Sequence, residues 1–234
     1  MSGGNDVIVS IENDIILRVT VNRPEKRNAL SRAVLDTLRE AFADNASDVN
    51  LRVAVLTGAG DKSFAAGGDL KDLSVLRTVE EARGLAEQAK AALNAVRNFP
   101  VPVIAALNGN AMGGGAELAV ACDFRIADTH ARIGFVQGRL NISTAWGGGV
   151  DLMRLVGPKT ALDLLCRSSM LAAEDAISIG LVDRAAAEDE DLHHCVNNFL
   201  QPYLLQVPQV LRAFKALAIG ARRGLGRVEL DTVE

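Results

Sequence analysis

The sequence predicts an α/β fold, and three observations carry that expectation. Two nearly continuous apolar runs, LRVAVLT at 51–57 and VPVIAAL at 101–107, have the length and composition of buried strands. Between them, residues 78–97 place Leu85, Ala89, Leu93 and Val96 on one helical face. Both runs end in irregular, glycine-rich loops. The order strand, strand, helix therefore recurs without the regular connections of a doubly wound sheet.

Taken in order, residues 7–11 and 15–21 are β-rich and flank Asn13-Asp14, a turn-forming pair, so they read as a hairpin. After a polar loop at 22–28, Ser31 is placed to cap a helix running to about residue 45. The first buried strand ends at Gly58 and leads into a loop, 58–73, with little periodicity. The second runs into Gly109 and then Gly113-Gly114-Gly115, which open a short helix at about 116–121. Residues 123–127 and 132–135 are short strands. From Gly147 onward the pattern is mostly helical and closes with a helix at 208–222.

At 49% hydrophobic and 23% charged, the 234 residues can fill the core of one large domain. A net charge of −4 gives no global basic field for nucleic acid. Any anionic ligand must be met by local lysines and backbone amides. Cys122, Cys166 and Cys195 are odd in number and widely spaced, which argues against a disulfide framework. The start, MSGGND, has neither a basic nor an apolar leader region, and no apolar run approaches membrane-spanning length. The expected location is cytoplasmic.

The most informative stretch runs from Asn108 to Leu118, NGNAMGGGAEL. Three consecutive glycines between a buried strand and a helix are costly in chain entropy. They suit a backbone that must adopt conformations closed to other residues, or a ligand that touches the main chain. A helix beginning just after them aims free N–H groups and the positive end of its dipole into that space, where a developing oxyanion can be held. A tight strand-to-helix crossing without a ligand is the alternative. KSFAAGGDLK, from Lys62 to Lys71, is a second loop of small residues with a lysine at each end. Two such loops after two strands look like two halves of one pocket. Asp69 also suits the N-cap of a helix beginning at Leu70. Other chemistries fail on spacing. Gly58-x-Gly60 has Ser63 where a dinucleotide fingerprint needs glycine, and neither a GxxxxGK[ST] loop nor a GxSxG elbow occurs. His193 and His194 are adjacent, point apart on a helix and make poor metal ligands.

In order along the chain, these stretches resemble the enoyl-CoA hydratase/isomerase (crotonase) superfamily. The resemblance runs from VNRPEKRNAL at 21–30 through FAAGGDL at 64–70, Gly109 to Glu117, Cys122-Asp123 and Trp146-Gly147-Gly148 to AISIGLV at 176–182. It implies a crotonase-like spiral of ββα units with a helical C-terminal region, divided as a core domain over 1–198 and a helical extension over 199–234. It also implies an acyl-CoA substrate, no cofactor beyond the coenzyme A that the substrate carries, no metal, and a homotrimer or dimer of trimers. Carried over residue by residue, the two oxyanion-hole N–H donors fall on Gly68 and Gly114, and the first catalytic carboxylate on Glu117. Lys62 and Lys71 match positions that meet coenzyme A phosphates, and Lys26 and Ala29 lie in the loop that cradles pantetheine and adenine. Ala66 and Trp146 join the substrate-binding set, Trp146 at the acyl end. The alternatives are a plain surface charge for each lysine, core packing for Trp146 and a favourable dipole position for Glu117.

One position departs from the pattern. The second catalytic carboxylate of the hydratases would fall on Gln137, in Phe135-Val136-Gln137-Gly138. A glutamine exchanges no proton near neutral pH, though it can orient water or substrate. Hydration uses two acid/base groups, so two-carboxylate hydration is in doubt. An enolate with one proton-transfer group still serves decarboxylation of a 2-carboxyacyl-CoA, or a double-bond shift. GGGAELAVACDFRI at 113–126, IGFVQ at 133–137 and STAWGG at 143–148 are similar to the ethylmalonyl-CoA decarboxylase-like members, which keep the first glutamate and lack the second. A catalytically weak acyl-CoA-binding member is the competing expectation. Family members generally continue past the position of Glu234, so the extension is expected to be incomplete. Arg212, Lys215, Arg222, Arg223 and Arg227 are expected on a solvated helix face.

Overall fold

A computed structural model describes residues 5–224. β1 (Val7–Glu12) and β2 (Ile16–Val21) form the expected antiparallel hairpin. Asn13 and Asp14 turn it with φ angles of 50° and 61°, a left-handed region these short polar residues tolerate. Ser31 caps α1 (Arg32–Asn45) by accepting the Val34 N–H at 3.3 Å. β3 (Val53–Gly58) is the first apolar run. The stretch after it is more ordered than expected. It holds β4 (Ser63–Ala65) and α2 (Leu70–Ser74), whose N-cap Asp69 accepts the Lys71 N–H. α3 (Val79–Arg97) opens on a capping box between Thr78 and Glu81.

β5 (Val103–Leu107) starts two residues inside the second apolar run, where Pro102 has no N–H to give the ladder. β6 (Asn110–Met112) follows within what reads as loop, and α4 (Gly114–Ala121) begins at the middle glycine rather than at Ala116. Next come β7 (Phe124–Ala127), β8 (Arg132–Gly134), a 3-10 turn (Gln137–Leu140), α5 (Gly148–Val156) and α6 (Pro158–Arg167). β9 (Leu171–Ala172), α7 (Ala173–Ser178), β10 (Arg184–Ala185), α8 (Leu192–Leu204) and α9 (Pro208–Arg222) complete the described chain.

One sheet has the order β1-β2-β3-β5-β7-β10 and the other β4-β6-β8-β9. From β3 to β8, successive strands alternate between them. β3, β5 and β7 pair in parallel in the first sheet, and β4, β6 and β8 in the second. The chain is therefore a spiral with one ββα unit per turn, as the resemblance implied. Because strand residues alternate in direction, Ala54, Leu56, Ala105 and Leu107 join the main core, while Val53, Val55, Ile104 and Ala106 pack against α8 residues Cys195, Val196 and Leu200. Equivalent loops of successive turns come to lie side by side, and this stacking positions the site.

The basic residues of α9 depart from expectation. Lys215 is 3% exposed and pairs with Asp123, just past the end of α4. Arg222 reaches the same carboxylate at 3.1 Å and donates to the Ala121 and Cys122 carbonyls, both at 3.3 Å. Arg212 donates to the Ala46 and Asp48 carbonyls. Arg223 is exposed, as expected, and Arg227 lies outside the described residues. What reads as a solvated face is largely a clamp. Its charges meet a half-buried carboxylate and carbonyls at the C-terminal ends of α4 and α1.

Candidate active site

The loops leaving the neighbouring strands β4, β6 and β8 wall a cavity of about 370 Å³. After β4 come Ala66, Gly67 and Gly68. After β6 come Gly113, Gly114 and, one helical turn on, Glu117; after β8, Val136 and Gln137. Trp146 closes one side, and Leu70, Leu73, Leu76 and Leu85 supply an apolar wall. A few polar groups converging in an apolar cleft suit a small-molecule site. A larger cavity, about 460 Å³, lies between α3, α5 and α9 among Arg97, Arg154, Arg222 and Arg223, but neither glycine loop nor Glu117 lines it.

Each of the three consecutive glycines has its own reason. Gly113 has φ 53° and ψ −116°, a combination closed to L side chains. A Cβ on Gly114 would overlap the Trp146 ring, and one on Gly115 the Ala65 carbonyl. The two loops touch, since a Cβ on Gly67 would stand 3.4 Å from the Gly114 nitrogen. Leu30 flanks the other loop. Its N–H donates to the Gly67 carbonyl at 2.8 Å, and its own carbonyl accepts the Asp69 N–H at 3.1 Å. This pairing leaves the Gly68 N–H facing away from Leu30. Gly114 is the first residue of α4, where an N–H has no partner within the helix. Among the described residues neither N–H has an acceptor, and both glycines line the cavity. Trp146 lies against both and belongs at once to the core and to the cavity wall.

Glu117 is 2% exposed and accepts three hydrogen bonds. Its Oε2 takes the Trp146 N–H at 3.0 Å and the Gly148 N–H at 2.9 Å, and its Oε1 takes Gln137 Nε2 at 3.0 Å. Burial pushes the carboxyl above the ordinary glutamate value, and the Gly148 and Trp146 N–H groups and the Gln137 amide pull it partly back. A fixed, desolvated carboxyl of this kind can give or take one proton. The two backbone donors were not foreseen from the sequence, nor was Arg97, which donates to Asp151 at 2.7 Å and to the Trp146 carbonyl at 3.1 Å and so pins the loop that carries them. A trace of this was legible in Gly148, where a Cβ would overlap Glu117.

Lys26, Lys62 and Lys71 are exposed and Ala29 is half-buried; none of the four lines the cavity. Lys71 follows the wall residue Leu70, while Lys62 immediately precedes β4. The segment carrying Lys26 and Ala29 is tied to the first glycine loop by the Ala66 N–H on the Arg27 carbonyl at 3.1 Å and by an Arg23–Asp69 ion pair at 3.0 Å.

A ββα spiral with paired glycine loops and one buried carboxyl between them is the arrangement that the crotonase resemblance implies. Residues 11–222 match the family model for Enoyl-CoA hydratase/isomerase, and the chain belongs to that family. It is 36% identical over 186 residues to the Short-chain-enoyl-CoA hydratase of Clostridium acetobutylicum, covering 80% of this chain and 70% of that one. It is 29% identical over 220 residues to the Ethylmalonyl-CoA decarboxylase of Xenopus tropicalis, covering 94% and 73%. The crystal structure of an Enoyl-CoA Hydratase from Bacillus anthracis superposes with a TM-score of 0.91 at 30% identity, covering 98% of this chain and 88% of that one.

Proposed function

We propose that this protein is a lyase that holds a thioester enolate between the Gly68 and Gly114 N–H groups and moves one proton through Glu117, removing carbon dioxide from a short or branched alkylmalonyl-type CoA. One observation carries this reading. Among the described residues the single titratable side chain on the cavity wall, Glu117, is hydrogen-bonded to an amide where two-carboxylate hydration calls for a second acid. The bond from Cα to the substrate carboxylate breaks and carbon dioxide leaves. The electron pair spreads onto the thioester oxygen between the two backbone donors, and Glu117 delivers a proton to Cα. One such donor is typically worth about 10²–10³ in rate. Lys26, Ala29, Lys62 and Lys71 hold coenzyme A from outside the cavity, while Ala66 and Trp146 flank the acyl group. The working form is a cytoplasmic homotrimer or dimer of trimers.

Hydration of a short 2-enoyl-CoA is the second reading, favoured by the 36% identity to a relative named as a short-chain hydratase. Incubation with methylmalonyl-, ethylmalonyl- and crotonyl-CoA, read by mass spectrometry, separates the two. Loss of carbon dioxide supports the first and gain of water the second. Calorimetric binding of all three without turnover would point instead to a catalytically weak acyl-CoA-binding protein.

A further inference from the structure

Two of the three hydrogen bonds on Glu117 come from the Trp146 and Gly148 N–H groups, and the segment that carries them runs between two cavities. Trp146 lines the catalytic cavity, and its neighbour Gly147 lines the larger one of about 460 Å³. Among the described residues, the one hydrogen bond to the Trp146 carbonyl comes from Arg97 Nη2, at 3.1 Å. Arg97 is itself fixed. Its Nε donates to Asp151 at 2.7 Å and its Nη1 to Asn94 at 2.9 Å, and Asp151 is 6% exposed. A planar guanidinium that commits each nitrogen to a different partner has one orientation. Gly147 admits it there. Its φ of 94° lies in the left-handed region, and a Cβ on it would stand 3.0 Å from Arg97 Nη2.

We propose that Arg97 is a positioning residue for the reaction: from outside the catalytic cavity it holds the Trp146–Gly147 peptide, and so aims the Trp146 and Gly148 N–H groups at Glu117. The Trp146 carbonyl and the Gly147 nitrogen lie in one rigid plane. Holding that plane sets ψ of Trp146 and φ of Gly147, the two dihedrals that relate the amide before it to the amide after it. Without Arg97 the plane is free to turn, because the larger cavity offers it room on the side of Gly147. The two amides then leave Glu117, which stays buried with the Gln137 amide. Those N–H groups pull the carboxyl down against the effect of burial, so their loss carries it further up. The inference rests on the reading of Glu117 as the proton-transfer group.

The test uses the full chain and whichever of methylmalonyl-, ethylmalonyl- and crotonyl-CoA it turns over. Arg97→Met keeps an unbranched stem and removes every donor. It is expected to lower kcat by about 10² with KM little changed, and to move the limb of the pH–rate profile that Glu117 governs to higher pH. Arg97→Lys restores the charge without the fork and is expected to stay close to Arg97→Met. Because Arg97→Met leaves the Asp151 carboxylate buried and unpaired, the double variant Arg97→Met with Asp151→Leu removes both charges and guards against simple misfolding. It is expected to show the same fall and the same displaced limb. Added to Glu117→Gln, Arg97→Met should lower the residual rate no further. A fall in kcat with the limb unmoved, full recovery in Arg97→Lys, or an undiminished further fall in the Glu117→Gln background overturns the positioning role and leaves the reading of Glu117 intact. Wild-type turnover in Glu117→Gln, or no turnover of any of the three thioesters by the native chain, overturns that reading and the positioning role with it.

Discussion

At the scale of single residues, Glu117 is the carboxyl through which the proposed reaction moves its proton. Glu117→Gln keeps its shape and its backbone partners but cannot carry a proton. Its kcat is expected to fall by about 10²–10⁴ with KM little changed, and a comparable rise in KM would place Glu117 in binding instead. The same residue has a stability signature. Its pKa is raised in the folded state, so its contribution is fully present below the unfolded value and is lost as pH rises through the folded one. Wild-type stability should therefore fall relative to Glu117→Gln from mildly acidic pH toward neutrality, in denaturant titrations run as a pH series. A constant difference across that series would mean that burial does not raise the carboxyl. Gly114→Ala tests the cradle. The added methyl meets the Trp146 ring, so the first turn of α4 or the ring must shift, at a cost of about 1–3 kcal/mol in stability. Turnover should drop more than stability explains; unchanged activity would remove Gly114 from the donor pair.

At the scale of elements, α4 carries Gly114 at one end, Glu117 one turn in, and the Asp123 clamp past the other. Lys215→Ala leaves a 10% exposed carboxylate with Arg222 as its remaining cation. Breaking such a pair typically costs about 3–5 kcal/mol. The midpoint of urea unfolding should shift accordingly, and Lys215→Ala with Asp123→Asn should recover part of the loss. No shift at all would mean that α9 does not anchor α4. These elements also mark how far the sequence could be read. Ser31, Asp69 and the Asn13-Asp14 turn were legible because capping and turning are local chemistry. β4 and β6 were not, since three residues are too short to display a two-residue period and parallel partners decide them. Lys215 was misplaced because its charge masked its position four residues after buried Leu211, on the same helical stripe. Of the site, both glycine loops were visible as composition, and Glu117 through the family resemblance. The Trp146 and Gly148 N–H groups holding Glu117 lie 29 and 31 residues away, where a loop enters α5, and no local pattern announces them.

At the scale of the molecule, the spiral makes the cavity a property of several turns together. Its walls come from the β4, β6 and β8 loops and from the segment before α5, so no single turn contains it. The proposed trimer has a direct check. Sedimentation should give three or six times the 24.8 kDa chain mass, and a monomer retaining full turnover would remove the assembly from the mechanism. The placement of the sole tryptophan of the chain between the two glycine loops has a practical consequence. All indole emission from this protein originates at the wall of the candidate cleft, so the native chain is its own optical titrant. Mixing with a CoA thioester should change the emission intensity with saturation at the ligand's Kd, whereas free coenzyme A, lacking an acyl group beside the ring, should change it far less.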